Sequence, residues 1–243
     1  MLLQTNNTSV IYECANTLIA LSNAPTAIKA AANCYCQLIV SQGDNNVKLI
    51  VLDRLADLKK NHREVMQDMV MDILRAVASP SVDIRRKTLD IVLDLINSRN
   101  IEEVVTALKK EIIKSQNDTG LGANEKNAEY RQMLVQSVHA CAVKFPDVAG
   151  SVVHMLMDFL GDPNTASALD VIMFIREIAQ TNSGMRESIL QRLLDSFYSI
   201  RSSRVCATAL WIIGEYSESR EQVEEALATL KSSLGLTPFF EPP

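Results

Sequence analysis

One spacing of hydrophobic positions recurs along the chain. From a first apolar residue, others follow five, eight and eleven places on, which is the spacing of one buried helix face. The pattern begins at Val10, Val47, Ile84, Tyr130 and Val205, and the first three starts are separated by 37 residues each. A repeat of this length with two helices is typical of HEAT and armadillo solenoids.

Caps and breaks divide the chain into twelve predicted helices. They predict an all-α, right-handed HEAT/armadillo-like α-solenoid of about six antiparallel helix pairs. We expect one continuous solenoid over residues 1–243, a mobile inter-repeat loop at 116–127 and an irregular tail at 236–243. The opening residues lack the polar cap of a complete solenoid, so we expect a fragment of a longer trunk.

Local signals make sharper predictions for individual helices. Ser79-Pro80 predicts a helix start, with the hydroxyl as cap. The apolar stripe at 66–77 predicts the most regular helix of the chain. Two capping boxes are predicted by their spacing, namely Asn100 with Glu103 and Ser219 with Gln222.

Composition narrows the class of protein. The chain has only 8 glycines and 5% aromatic residues, which favours helix over sheet. Its net charge of −5 argues against nucleic-acid binding. The apolar runs fall far short of the roughly 20 residues that span a bilayer. The five cysteines, without a secretory signal, predict reduced thiols in a cytoplasmic protein.

No constellation of residues predicts catalysis, a metal site or a cofactor. Cys34 and Cys36 are two residues apart on a predicted helix, so their thiols point about 200° apart and cannot chelate one ion. Met66 and Met69 fall on a core stripe rather than in a binding groove. Carboxylates are plentiful but are not paired for acid–base chemistry. We therefore expect a protein that is not an enzyme.

A basic cluster is the most plausible recognition feature. It includes three cations on the first turns of one helix and three from the preceding turn, which we expect to lie near them. Together they would face an acidic partner or an anionic lipid head group, and the alternative is a solvated outer ridge. The six residues are Arg85, Arg86, Lys87, Lys59, Lys60 and Arg63.

Several stretches resemble a known family of coat proteins. Residues 44–55 closely resemble the large-subunit trunk of the COPI coat, in the coatomer beta family. Residues 22–32, 98–103 and 108–111 are similar to the same family. Residues 209–216 resemble a segment shared more widely, also with clathrin-adaptor large chains.

The resemblance implies a scaffold subunit of a vesicle coat. Such a subunit would act in Golgi-to-ER and intra-Golgi transport, lying in the cytoplasm and peripherally on Golgi membranes and COPI-coated vesicles. Its implied partners are the delta-coatomer subunit, other coatomer subunits and an Arf-family GTPase, the last through this segment or through repeats outside it.

Other solenoid functions stay open from the pattern alone. An importin-like cargo receptor would line its groove with repeated Asn and Trp, and this chain has one tryptophan, Trp211. A phosphatase-scaffold-like module is not distinguished by periodicity. Both are interaction proteins, and neither requires a catalytic residue in the chain.

Overall fold

The computed structural model describes residues 7–117, 124–161 and 165–234. All regular structure within these ranges is helical, and they contain no strand. The α-helices run as α1 Thr8–Leu21, α2 Pro25–Ser41, α3 Asn45–Asn61, α4 Arg63–Gln67, α5 Val70–Leu74, α6 Val82–Leu95, α7 Ile101–Asn117, α8 Asn124–Lys144, α9 Ala149–Leu156, α10 Thr165–Thr181, α11 Arg186–Ser196, α12 Ser203–Tyr216 and α13 Arg220–Leu234.

The helices fall into two compact units, residues 1–133 and 134–243. In chain order, the successive helices of the first unit are α1 with α2, α3 with α4 and α5, and α6 with α7, and those of the second unit are the end of α8 with α9, α10 with α11, and α12 with α13. Contacts are most numerous between α1 and α2, α2 and α3, and α3 and α6 in the first unit, and between α10 and α12 in the second. Short links join most partners and require them to run antiparallel. The all-α solenoid class with about six helix pairs is confirmed for the part of the chain that the structure describes, while continuity over residues 1–243 stays a prediction.

Two predicted irregular segments lie largely outside the described residues. α7 extends to Asn117 and α8 begins at Asn124, so only 118–123 of the predicted loop 116–127 lie between helices. Those six residues and the predicted tail 236–243 are not described.

The repeating spacing marks the core of the first unit. In α3 the residues five, eight and eleven places after Val47 are buried, and so are their counterparts in α6. At α1 the pattern is only partly buried, because α1 packs chiefly against α2. Ala15 is fully buried there, but Leu21 is 82% exposed. The buried α3 and α6 residues are Leu52, Leu55, Leu58, Leu89, Val92 and Leu95.

The second unit shows the same spacing, but in α12 fewer of the expected positions are buried. Val135, Val138 and Cys141 of α8 are buried. The face of α10 predicted from Ile172, Ile175 and Ile178 is buried as well. In α12 the pattern weakens, because Val205 and Ile213 are buried while Leu210 and Tyr216 are half-buried.

The helix predicted to be the most regular is broken, which corrects that prediction. It is divided into α4 and α5, and a 3₁₀ turn continues it over Arg75–Ala78. The backbone of Met69 leaves the helical region, with φ −104° and ψ 5°. The carbonyl of Gln67 accepts a hydrogen bond from Nδ2 of Asn100 at 3.2 Å. A side chain inserted into the helical ladder in this way is a common cause of a kink, and the stripe itself stays buried, including Met66 and Met69.

The predicted helix start at Ser79-Pro80 is also wrong. α6 begins at Val82 with Ser81 as the N-cap residue, and Ser81 makes no side-chain cap bond. The Ser79 carbonyl accepts from Nε of Arg85 at 2.5 Å. This bond holds the residues before α6 in an extended link, so the helix starts two residues later than the sequence signal suggests.

The two predicted capping boxes have different outcomes. Ser219 and Gln222 form one, since Oγ of Ser219 accepts from the Gln222 amide at 3.1 Å and Oε1 of Gln222 accepts from the Ser219 amide at 3.2 Å. The box at Asn100 is absent, because Oδ1 of Asn100 accepts from the backbone amide of Asn97 at 2.8 Å. Both polar atoms of the Asn100 side chain are therefore bound to groups outside α7.

Candidate partner-binding surface

Ion pairs join the first helices of successive pairs in the first unit. Lys87 of α6 contacts Asp53 of α3, with 2.5 Å between Nζ and Oδ1. Lys59 of α3 pairs with Asp94 of α6. We call this row of contacts between neighbouring first helices the inter-repeat ladder. The ladder joins α3 and α6 by ion pairs at the surface, while the apolar faces of the same helices pack in the core.

The ladder continues from α6 to α8. Arg86 contacts Glu129 at 2.7 Å between Nη2 and Oε1. The guanidinium of Arg85 stacks over the ring of Tyr130, 3.7 Å from its centroid. Burial raises the pKa of Tyr130 well above its usual value, so the hydroxyl stays protonated. It can then donate to Oε2 of Glu111 at 3.2 Å.

All six residues of the predicted basic cluster make contacts within the chain. Arg63 donates to the backbone carbonyl of Asp94, and Lys60 pairs with Asp57 on its own helix at 3.5 Å. The cluster is therefore interleaved with carboxylates rather than forming a bare basic patch. Lys60 and Arg86 keep side-chain exposures of 71% and 57%, so these two remain accessible to a partner. Partner binding by the six residues stays a prediction.

Five of the six residues form two groups along α6, while Lys60 pairs with Asp57 on α3. Lys87 lies in the first half of α6 and Asp94 in the second. They are seven residues apart, which is about 10 Å along the helix axis. Arg85, Arg86 and Lys87 gather at the first half, whereas Lys59 and Arg63 meet Asp94 at the second. The expected single cluster is divided, because α3 meets α6 at two separate points, Asp53 with Lys87 and Lys59 with Asp94.

The second unit has a ladder of its own, which the sequence interpretation missed. Gln136 donates to Asp170 at 3.0 Å, and Nε2 of His139 lies 2.9 Å from Oε2 of Glu177. Between α10 and α12, the guanidinium of Arg176 stacks 4.3 Å from the ring centroid of Trp211. The partners are 34 residues apart in sequence for Gln136 and Asp170 and 38 apart for His139 and Glu177. These separations are close to the 37-residue repeat, which is the sequence signal that could have indicated the contacts.

A groove of about 400 Å³ lies beside α1 and α3 in the first unit. Tyr35 donates from its hydroxyl to Oδ1 of Asn16 at 2.6 Å at this groove. Burial raises the pKa of Tyr35 to about 12, so that donor is kept. The full lining is Asn16, Ile19, Ala20, Tyr35, Arg54, Asp57, Leu58, Asn61 and His62.

The described residues offer little support for metal or thiol chemistry. No group of three His, Cys, Asp or Glu among them is arranged to hold a metal ion. Burial raises the pKa of Cys36 and of Cys141 to about 12, so these thiols stay protonated at neutral pH.

No helix within the described ranges has the length and apolar character needed to cross a bilayer.

Comparisons with known proteins identify close relatives. The chain is 61% identical over 239 residues to coatomer subunit beta-2 of Oryza sativa subsp. japonica, an alignment covering 98% of this chain and 25% of the rice protein. It is 48% identical over 242 residues to coatomer subunit beta of Rattus norvegicus, covering 99% of this chain and 25% of the rat protein. The chain thus spans about a quarter of the length of these relatives. The resemblance to the coatomer beta family is confirmed.

A structural comparison agrees on the fold. A chain in a homology model of the full-length AP-3 complex, in an intermediate open conformation, matches with a TM-score of 0.54 and 18% identity. The match covers 94% of this chain and 36% of that chain, and at this identity it bears on fold alone. The adaptin N-terminal region family matches residues 1–238. The chain therefore belongs to the adaptin N-terminal family.

Proposed function

We propose that this chain is part of the structural scaffold of the COPI coat. The observation that carries the proposal is the 61% identity to a coatomer beta subunit along 98% of the chain. The helix pairs support it, since stacked pairs offer extended surfaces for other proteins. In this role the chain binds partner coat subunits and catalyses no reaction.

The proposed partners are the delta-coatomer subunit and other coatomer subunits. The proposed setting is the cytoplasm and the surface of Golgi membranes and COPI vesicles, during Golgi-to-ER and intra-Golgi transport. Recruitment through an Arf-family GTPase is proposed for the whole protein. Two exposed cations of the predicted basic cluster, Arg86 and Lys60, are the proposed partner contacts in this chain.

The test is complex formation with purified delta-coatomer, measured by light scattering during size-exclusion chromatography. We expect a complex with one copy of each protein. The double variant Arg86→Ala/Lys60→Ala should bind more weakly, whereas the matched surface variant Lys110→Ala/Lys231→Ala should bind like the wild type. A folded chain that forms no complex with delta-coatomer would contradict the proposed partner. Equal binding by both double variants would contradict the proposed contacts.

A further inference from the structure

The second helix pair (α3 with α4 and α5) and the third (α6 with α7) pack against each other on two sides. On one side α3 packs on α6, and on the other α5 packs on α7. Rotation of one pair against the other would have to separate at least one of these contacts. Because closely packed interfaces resist such separation, this second boundary is held rigidly.

Side-chain contacts strengthen the second boundary at one corner. Lys59, in the last turns of α3, pairs with the carboxylate of Asp94 near the end of α6. Arg63, at the start of α4, donates to the backbone carbonyl of Asp94, and Nδ2 of Asn100 donates to the carbonyl of Gln67 at 3.2 Å. We call these three contacts the corner clamp. They join the region where α3 meets α4 to the region where α6 meets α7.

The first boundary, between the first pair (α1 with α2) and the second, is packed on one side only. α2 packs on α3 and also contacts α4 and α5. Within residues 7–61, no comparable packing joins α1 to α3. α1 has one buried residue, Ala15, whereas α3 has four and α6 has six. A boundary that is packed along α2 and open beside α1 has the arrangement of a hinge.

The open side of the first boundary is the groove of about 400 Å³ beside α1 and α3. Its α3 wall is polar, since Arg54, Asp57 and Asn61 are exposed there. Closing the groove would remove these polar groups from water, so burial does not drive α1 against α3. A hydrogen bond from Nε of Arg54 to the hydroxyl of Tyr12 crosses between the helices at 3.0 Å. This bond is exposed, and a bond of this kind contributes little to fixing the distance between the helices.

The sequence lacks the lysine of a clamp at the first boundary. Shifted back by the 37-residue repeat, the position of Lys59 is taken by Ser22. The side chain of Ser22 is too short to reach the next first helix, and its hydroxyl accepts from the backbone amide of Ala24 at 3.3 Å. The position of Asp94 is taken by Asp57, an exposed carboxylate of α3. The first boundary therefore has the carboxylate of this ion pair but lacks its cation.

We propose that the first boundary is a flexible joint and that the corner clamp makes the second boundary rigid. The first pair rotates about the contact line of α2, and this rotation changes the distance between α1 and α3. The buried contacts of α2 are kept throughout, so the motion alters the curvature of the first unit without unfolding it. The inference concerns the folded chain alone and does not depend on the proposed coat function.

Pulsed electron–electron double resonance between two nitroxides tests the proposal by measuring distributions of distance. Labels attached to introduced ketone-bearing amino acids leave the native cysteines unmodified. One pair of labels replaces Glu13 and Ile50 across the first boundary, and the other replaces Ile50 and Asp90 across the second. All three positions are exposed and lie inside their helices. We expect the first distribution to be at least about twofold wider than the second, and equal widths would overturn the proposal.

Adding the missing cation provides a second test. Ser22→Lys places an ammonium group opposite Asp57 and should narrow the first distribution towards the width of the second. Ser22→Met has a side chain of similar length without charge and is the matched control, which should leave the width unchanged. High salt should reverse the narrowing in Ser22→Lys, since an exposed ion pair is screened. Equal widths in the two variants would show that the missing cation does not control the joint and would overturn the proposal.

Removal of the clamp tests the rigid boundary. Lys59→Ala/Arg63→Ala removes two of the three clamp contacts and should widen the second distribution at least about 1.5-fold. Lys48→Ala/Lys110→Ala changes two lysines outside the clamp and should leave the distribution unchanged. Circular dichroism of every variant checks that the helices are retained. A second distribution that keeps its width without the clamp would contradict the role assigned to these contacts and overturn the proposal.

Local unfolding of α1 is the competing explanation for a wide first distribution. Hydrogen exchange followed by mass spectrometry distinguishes it, since a rotating helix keeps its amides protected whereas unfolding exposes them. We expect amides in the middle of α1 to exchange within about tenfold of the rate of those in the middle of α3. Much faster exchange confined to α1 would assign the width to unfolding and would overturn the proposal of a joint.

Discussion

Nζ of Lys87 lies 2.5 Å from Oδ1 of Asp53, so one helix pair is tied to the pair before it through charges 34 residues apart in sequence. The repeat spacing of 37 residues would place the counterpart of Asp53 at Asp90, one helical turn from Lys87. Neighbouring first helices are therefore offset by about a turn where their surface charges meet. Lys59 and Asp94 have a similar relationship farther along the same two helices.

A double-mutant cycle on this pair should measure a small coupling. Lys87 and Asp53 keep 31% and 63% of their side chains exposed, so we expect Lys87→Ala and Asp53→Ala to couple by about 0.2–1 kcal/mol. Urea denaturation at low and high salt measures the free energy of unfolding. The coupling should shrink at high salt, and a coupling independent of salt would argue against an ionic contact.

Asn100→Ala should destabilise the first unit more than a typical surface substitution. The change removes the Nδ2 donor that binds the Gln67 carbonyl at the break, and we expect a loss of about 1–2 kcal/mol in the free energy of unfolding. Asn46→Ala, at an exposed position of α3, is the matched control and should change stability by less than about 0.5 kcal/mol. Equal effects of the two would show that Asn100 does not hold the kink.

Two isoleucines in the first unit provide a direct test of the core. Ile84 is fully buried, whereas Ile50 is 51% exposed. Ile84→Ala should cost about 2–5 kcal/mol of unfolding free energy, from lost burial and a residual cavity. Ile50→Ala should cost less than about 1 kcal/mol. Thermal or urea unfolding followed by circular dichroism compares them, and a reversed order would contradict the assigned helix faces.

Trp211 is the single tryptophan of the chain, so its fluorescence reports on the second unit. The Arg176 guanidinium stacks on its ring, and such an exposed cation–π contact is worth about 0.5–1 kcal/mol. Arg176→Ala should change the emission of Trp211 and lower the stability of the unit by about that amount. Arg204→Ala, an exposed arginine of α12, should leave the emission unchanged. An unaltered spectrum in Arg176→Ala would rule out the stacked arrangement.

The buried thiols should affect stability only at high pH. Burial raises the pKa of Cys36 and Cys141 from 9.0 to about 12, so the folded state holds protons that the unfolded state releases. Stability from this source is complete below pH 9 and is lost as the pH rises through 9 towards 12. At pH 8, iodoacetamide labelling followed by mass spectrometry should modify the half-buried Cys14 faster than Cys36 or Cys141. Equal labelling rates would show that the buried thiols are accessible in the folded chain.

Much of the fold follows from local sequence. The buried positions of α3, α6 and α8 are predicted by apolar spacing, because residues three and four apart share a helix face whatever the rest of the chain does. The capping box at Ser219 and Gln222 is local in the same sense and is found as predicted. The family resemblance of residues 44–55 is likewise a property of the sequence alone.

The candidate site was less predictable. The sequence identified Arg85, Arg86 and Lys87 as conspicuous cations, but their partners lie on other helices. The contact between Arg86 and Glu129 spans 43 residues, a separation that includes the segment between α7 and α8. No local pattern indicates which carboxylate a lysine or arginine meets across such a distance.

The sequence by itself determined that this chain forms paired helices, which faces those helices bury and which family it belongs to. The tertiary structure alone decided that the helix breaks at Met69, near the bond from Asn100 to the Gln67 carbonyl, that the basic cluster is divided along α6, and that a groove lies beside α1 and α3. Helix faces depend on bonds and contacts within a few residues. Kinks, ion pairs and grooves depend on the offset at which one helix packs against the next, and that offset is set by the side chains of both helices together.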